Sequence, residues 1–134
     1  MKVCITKAME MEVSHWLPDY VGACANMHGH TYKLEVTISR ASFAPHDPMG
    51  DRVEDDMVVD FKVLNKVMKD RVFDMFDHQI ANSKVNYRPT AERMAVDILQ
   101  RVQIGLDDYG PKGTYRVERV KLYETSNSYV EVFR

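Results

Sequence analysis

Cysteine is scarce in this chain: two residues among 134, Cys4 and Cys24. Two thiols cannot build the disulfide framework on which small secreted domains depend. Long apolar runs are missing as well. None approaches the roughly 20 residues needed to cross a bilayer, and the opening "MKVCITKAMEMEV" alternates polar with apolar residues instead of forming the hydrophobic core of an export signal. Nor is there a basic excess. Eighteen Lys and Arg face 20 Asp and Glu, for a net charge of −2, so nothing points to a nucleic-acid surface. Repeats, linkers and low-complexity segments are absent too. These absences argue against a secreted scaffold, a membrane protein and a nucleic-acid partner, and they lead us to expect reduced thiols in a cytoplasm. What is present, 45% hydrophobic and 28% charged residues, describes one soluble domain over residues 1–134.

Periodicity supplies the expected elements. In "TYKLEVTISR" (31–40), Tyr32, Leu34, Val36 and Ile38 share one face and Lys33, Glu35, Thr37 and Ser39 the other. Residues 2–13 alternate less cleanly and read as a first strand. Residues 44–56 read as a solvated connection, and Val58-Val59 as the end of a short strand. Asp60 is placed to cap a helix whose Leu64, Val67, Met68, Val72, Met75 and Phe76 recur at helical spacing. A second helix is expected from about Thr90 to Ile104, with Gly105 as its stop. Residues 114–124 and 128–133 read as two closing strands. The order β-β-α-α-β-β predicts an α+β fold, a four-stranded antiparallel sheet carrying two helices on one face. Its two open edges lead us to expect a homo-oligomer.

The chemistry concentrates in "HWLPDYVGACANMHGH" (15–30), which holds three of the five histidines and Cys24. In a strand His28 and His30 project to one side, and His15, at the end of the first strand, can return beside them across an antiparallel pair. Three imidazoles leave one position of tetrahedral zinc open, as catalytic zinc requires. Cys24 keeps two readings: a fourth ligand closing a structural site, or a free nucleophile or base beside an open one. Asp77-His78, just after the first helix, is a candidate proton-transfer pair, although neighbours in an extended chain point apart and a polar helix end is the plainer account. Val120, Leu122 and Glu124 share a strand face, so a carboxylate ends an apolar row. Such a carboxylate suits a ligand offering two adjacent N–H groups, unless it is simply a solvated strand end.

Together "CANMHGHTY", "VVDF", "FDH", "RPTAE" and "YET", in this order, resemble the landmarks of the 6-pyruvoyltetrahydropterin synthase family over nearly the whole chain. "GACANMHGHTY" is most similar to the bacterial branch, which makes 6-carboxytetrahydropterin in queuosine biosynthesis. The resemblance implies the T-fold, with subunit sheets joined into a barrel of three, usually stacked as a hexamer, and active sites between subunits. It implies zinc on His15, His28 and His30, catalytic roles for Cys24, Asp77 and His78, and a pterin anchored by Glu124 with help from Thr125. It also implies 7,8-dihydroneopterin triphosphate as substrate, with 6-carboxytetrahydropterin, acetaldehyde and triphosphate as products. Lys84, Arg88 and Arg40 are the candidate cations for the triphosphate. The alternatives are a 6-pyruvoyltetrahydropterin synthase, an aldol-type enzyme on another pterin, and a non-catalytic domain whose structural zinc is closed by Cys24. Two departures from the family pattern bear on specificity: Asp55-Asp56 before Met57, and the compact loop 79–88.

Overall fold

The computed structural model describes residues 1–43 and 52–134. The acidic stretch expected as a solvated connection lies outside the described residues up to position 51, and its remainder forms a single 3-10 turn, Val53–Asp56. Two long strands come first, β1 (Cys4–His15) and β2 (His28–Arg40). A helical segment follows: α1 (Phe61–Met68), a π turn (Lys69–Phe73) and α2 (Asp74–Phe76). Then come β3 (Gln79–Ile80), α3 (Ala91–Tyr109), β4 (Tyr115–Thr125) and β5 (Ser128–Phe133).

The sheet order is β3-β1-β2-β4-β5. Its four long strands are antiparallel, as the alternation predicts, but a fifth strand corrects the expected count. β3 pairs parallel with β1, Val13 with Gln79 and Ser14 with Ile80. Two residues are too few to display a period, which is why the alternation test does not see them. Val58 and Val59 form no strand; Val58 is buried directly ahead of the helix cap.

The core lies between the helices and one face of the sheet. Tyr32, Leu34, Val36 and Ile38 of β2 are fully buried there, with Val117, Val120 and Leu122 of β4. A register shift between Thr37 and Ile38 lets Val117 and Val120, three apart, face the same side. Leu64, Met68, Val72 and Phe76 meet this layer from the first helical segment, and Met94, Ile98, Val102 and Leu106 from α3.

Both helix starts follow the sequence. The Asp60 carboxylate accepts from Lys62 N at 2.8 Å, and Thr90 Oγ1 accepts from Arg93 N at 3.3 Å. The expected stop at Gly105 is corrected, because α3 continues to Tyr109. Glycine is needed there for packing. A Cβ at position 105 would sit 2.6 Å from Val67 Cγ1 and 3.0 Å from Arg71 Cγ, so this residue sets how closely α3 approaches α1. Among the described residues, no helix is long and apolar enough to cross a membrane.

Candidate metal centre and active site

At the loop end β1 runs two residues and β2 three residues past the sequence-based boundary, so both histidine groups lie inside strands. Their register sets His15 opposite His28 and Val13 opposite His30. The three imidazoles consequently gather on the core face at one end of the sheet. Ring centroids are 4.5 Å apart for His15–His28, 4.8 Å for His28–His30 and 5.2 Å for His15–His30. In the β2–β4 register Lys33 faces Tyr123, which sets Glu124 across from Tyr32, diagonal to His30 on the same face. One ligand atom from each of His15, His28, His30 and Glu124 lies within 4.8 Å of all the others.

The hydrogen bonds around these rings fit a cation. His15 Nδ1 is 2.8 Å from the Pro89 carbonyl, and His28 Nδ1 is 2.8 Å from the Asn26 carbonyl. A carbonyl only accepts, so Nδ1 carries the proton on both rings and each Nε2 offers a lone pair, the tautomer a metal needs. His30 Nε2 is buried without a hydrogen-bond partner. Burial, as the largest influence, pushes the His30 pKa down, assisted by the neighbouring imidazoles and opposed by Glu124. Neutral imidazole is the ligating form. Tyr32, fully buried, packs edge-on to His15 and His30, with its hydroxyl 3.3 Å from His15 Nδ1.

Sequence reasoning missed Asn82. Its Oδ1 accepts from Trp16 N at 3.0 Å and its Nδ2 donates to Trp16 O at 3.0 Å. The parallel β3–β1 ladder would have set residue 82 beside residue 16, but the backbone turns into a 3-10 helix at Ala81. The side-chain amide completes the ladder in place of the main chain. Together with Pro89 it fixes the point where the chain leaves His15 for the Cys24 loop. Nothing in the composition of "QIANSKVNYR" marks this role.

Cys24 lies on the 3-10 turn Ala23–Ala25, half-buried, with its carbonyl accepting from Leu17 N at 2.8 Å. It is outside the four-residue donor group. Asp77 and His78 do touch, contrary to the plain expectation for neighbours. His78 has φ +55°, and this left-handed turn brings its Nδ1 to 2.7 Å from Asp77 Oδ2. Asp77 Oδ1 also accepts from Glu12 N at 3.0 Å, and His78 N donates to Glu12 O at 2.7 Å, so the pair is moored to the free edge of β1. The hydrogen bond from Glu12 N, then that from His78, holds Asp77 below the usual carboxylate range. The hydrogen bond and charge of Asp77 raise the His78 pKa.

The pH dependence follows from these directions. The contribution of His78 is complete below the ordinary histidine pKa and fades as pH rises through its raised value. That of Asp77 is complete above the ordinary carboxylate pKa and fades on acidification through its depressed value. His78 should therefore titrate above about 6.5 by NMR and fall back toward that value in Asp77→Asn. An unchanged midpoint in the variant would show that the pair does not interact.

His78 opens onto a hollow of about 390 Å³ lined by Glu12, Ser14, Gly29, Thr31 and Ile80 among others. A Cβ on Gly29 would make only an ordinary 3.4 Å contact with Ser14 Oγ, so packing within the chain does not demand glycine there. Thr125 Oγ1 donates to Asn127 Oδ1 at 3.0 Å and braces the β4–β5 turn. Of the three cations, Arg40 lies ten residues along β2 from His30, roughly 33 Å away, and is engaged with the Glu54 and Met57 carbonyls. Arg88 immediately precedes Pro89, and its guanidinium is 3.5 Å from Asp19 in the His15–His28 loop. Lys84 is exposed on the turn that follows Asn82.

Comparison with known proteins agrees with this architecture. The chain is 31% identical to the 6-carboxy-5,6,7,8-tetrahydropterin synthase of Haemophilus influenzae, over 95% of this chain and 96% of that protein. It is 31% identical to the enzyme of the same name from Bacillus subtilis, over 93% and 81% respectively. The solved structure of Caenorhabditis elegans 6-pyruvoyl tetrahydropterin synthase superposes with a TM-score of 0.77 at 20% identity, covering 100% of this chain and 96% of that one. The sequence profile for 6-pyruvoyl tetrahydropterin synthase matches residues 4–134, and the chain belongs to that family.

Proposed function

We propose that this chain is a zinc-dependent 6-carboxy-5,6,7,8-tetrahydropterin synthase of the cytoplasm, acting in queuosine and related 7-deazapurine biosynthesis. It converts 7,8-dihydroneopterin triphosphate to 6-carboxytetrahydropterin, acetaldehyde and triphosphate. The observation that carries this reading is the convergence of His15, His28 and His30, two of them with Nδ1–H tied to carbonyls, in a chain whose curated relatives bear that name. His15, His28 and His30 would hold zinc, which when bound would supply a Lewis acid able to acidify side-chain hydroxyls and polarise a carbonyl.

The remaining work falls to the protein's own groups. Cys24 takes a proton from the side-chain carbon as a thiolate, and His78 returns one at the complementary position. Asp77 orients the imidazole and stabilises its charged form, the arrangement that suits a general acid near neutral pH. Glu124, with Thr125, accepts the N–H groups of the substrate. Arg88 is the best placed of the three candidate cations to meet the triphosphate, because its backbone adjoins the carbonyl that holds His15. The copies assemble as a trimer or a stacked hexamer, with active sites completed between subunits.

The deciding experiment incubates zinc-loaded protein with 7,8-dihydroneopterin triphosphate under reducing conditions and identifies both products. Acetaldehyde and 6-carboxytetrahydropterin are expected in equal amounts. A pyruvoyl pterin without aldehyde would mark the synthase that stops after elimination. Glycolaldehyde from the dephosphorylated compound would mark an aldol-type enzyme. If zinc-replete protein consumes no pterin, a non-catalytic zinc domain is the better account.

A further inference from the structure

Two observations at His30 conflict on first sight. Its Nε2 is 3.3 Å from Glu124 Oε1, within ion-pair distance, yet the same atom is buried and makes no hydrogen bond. Glu124 and His30 are close without pointing a proton at one another. A shared cation removes the conflict. Donors at 2.0–2.1 Å in a tetrahedron stand about 3.3–3.4 Å apart, with their lone pairs converging on the ion instead of facing each other. Glu124 Oε1 and His30 Nε2 have the spacing of one edge of such a tetrahedron, and His15 and His28 complete the group within 4.8 Å. Among the described residues no other carboxylate or thiol joins this set.

The position of Glu124 also suits a group that moves. It is the last residue but one of β4, with its side chain about one-third exposed. The β4–β5 register is already irregular between Tyr123 and Thr125. Its carboxylate can swing away without disturbing the core row of Val120 and Leu122.

We propose that Glu124 is the fourth metal ligand of the resting protein and that substrate displaces it. The displacement rests on the pterin-synthase reading above; the ligation does not. A carboxylate in this position keeps the cation four-coordinate until a ligand arrives. Once displaced, it becomes an acceptor for the N–H or O–H groups of that ligand. Binding and exposure of the fourth position are thereby coupled.

The test uses the assembled protein loaded with cobalt(II) or zinc, comparing wild type with Glu124→Gln, an isosteric change at a partly exposed strand end. Circular dichroism and light scattering verify that fold and assembly are retained. Glu124→Gln should alter the visible cobalt spectrum and weaken zinc by at least about tenfold in chelator competition, since even outer-shell partners command 10–100-fold. Adding unphosphorylated 7,8-dihydroneopterin should change the wild-type cobalt spectrum. If spectrum and zinc affinity are the same in both proteins, Glu124 is not a ligand and the proposal fails. If the variant differs but dihydroneopterin leaves the wild-type spectrum unchanged while binding, ligation stands and displacement is overturned. Absence of any turnover of the triphosphate, with the spectral difference intact, would overturn the assigned reaction and leave the ligation in place.

Discussion

His15→Ala is expected to lose the metal and to weaken the fold, whereas His28→Ala should lose the metal alone. The two rings are equivalent as donors but not in their surroundings. His15 is 2% exposed, lies against the Tyr32 hydroxyl and donates to the Pro89 carbonyl. Its removal opens a cavity beneath Tyr32 and leaves that carbonyl without a donor, an omission that costs about 1–3 kcal/mol. His28 is only half-buried, and its Nδ1–H serves the carbonyl of Asn26, two residues away in its own loop. Each substitution removes a proposed direct ligand, so the loss of zinc affinity should exceed the roughly 10–100-fold assigned to outer-shell partners. Thermal unfolding with and without zinc separates the effects. In wild type, free zinc at 100 times its Kd adds about 2.7 kcal/mol, which should vanish in both variants. In the presence of a chelator, His15→Ala should melt well below wild type and His28→Ala close to it. Undiminished stabilisation by zinc in His15→Ala would remove this residue from the ligand set.

The sequence made the convergence of the three histidines legible because strand geometry is rigid. Once "HGH" is taken as extended, the two-residue period places His28 and His30 on one side, and an antiparallel partner ending in histidine can complete the group. The four long strands and two capped helical segments were legible for the same reason, each following from a period or a cap repeated over many residues. What was hidden depends on single contacts. β3 spans two residues and carries no pattern, Asn82 acts through an amide that any loop asparagine could carry, and Gly105 has the look of a helix stop. The role of Gly105 is visible only once Val67 is known to lie beside it. The contact between Asp77 and His78 was likewise hidden, because it depends on a left-handed φ that an ordinary strand reading does not anticipate.

Mixing two inactive variants, Cys24→Ala and His78→Ala, is expected to restore activity. The reason lies in where one chain puts these residues. Cys24 belongs to the loop beyond His15 at the end of the sheet. His78 is moored to Glu12 on the free edge of β1, three residues, or about 10 Å, back along the strand. Its side chain is 76% exposed, a poor setting for controlled proton transfer unless another surface covers it. The sheet ends in two unequal edges, β1 with its two-residue partner on one side and β5 on the other. Head-to-tail pairing of such edges in a closed ring would bring one copy against the His78 hollow of the next. If each site takes Cys24 from one copy and His78 from its neighbour, a random mixture in a closed ring contains about a quarter of its sites with both residues intact. If both come from the same chain, every site carries a defect and no mixture recovers. The measurement is turnover of 7,8-dihydroneopterin triphosphate by variants refolded separately and together, with zinc content and oligomeric state checked in each. Each variant alone should fall by the roughly 10²–10⁴-fold that a positioned proton-transfer group contributes. Recovery toward a quarter of wild type in the mixture places the chemistry between copies; zero recovery from properly assembled mixtures returns both residues to a single chain.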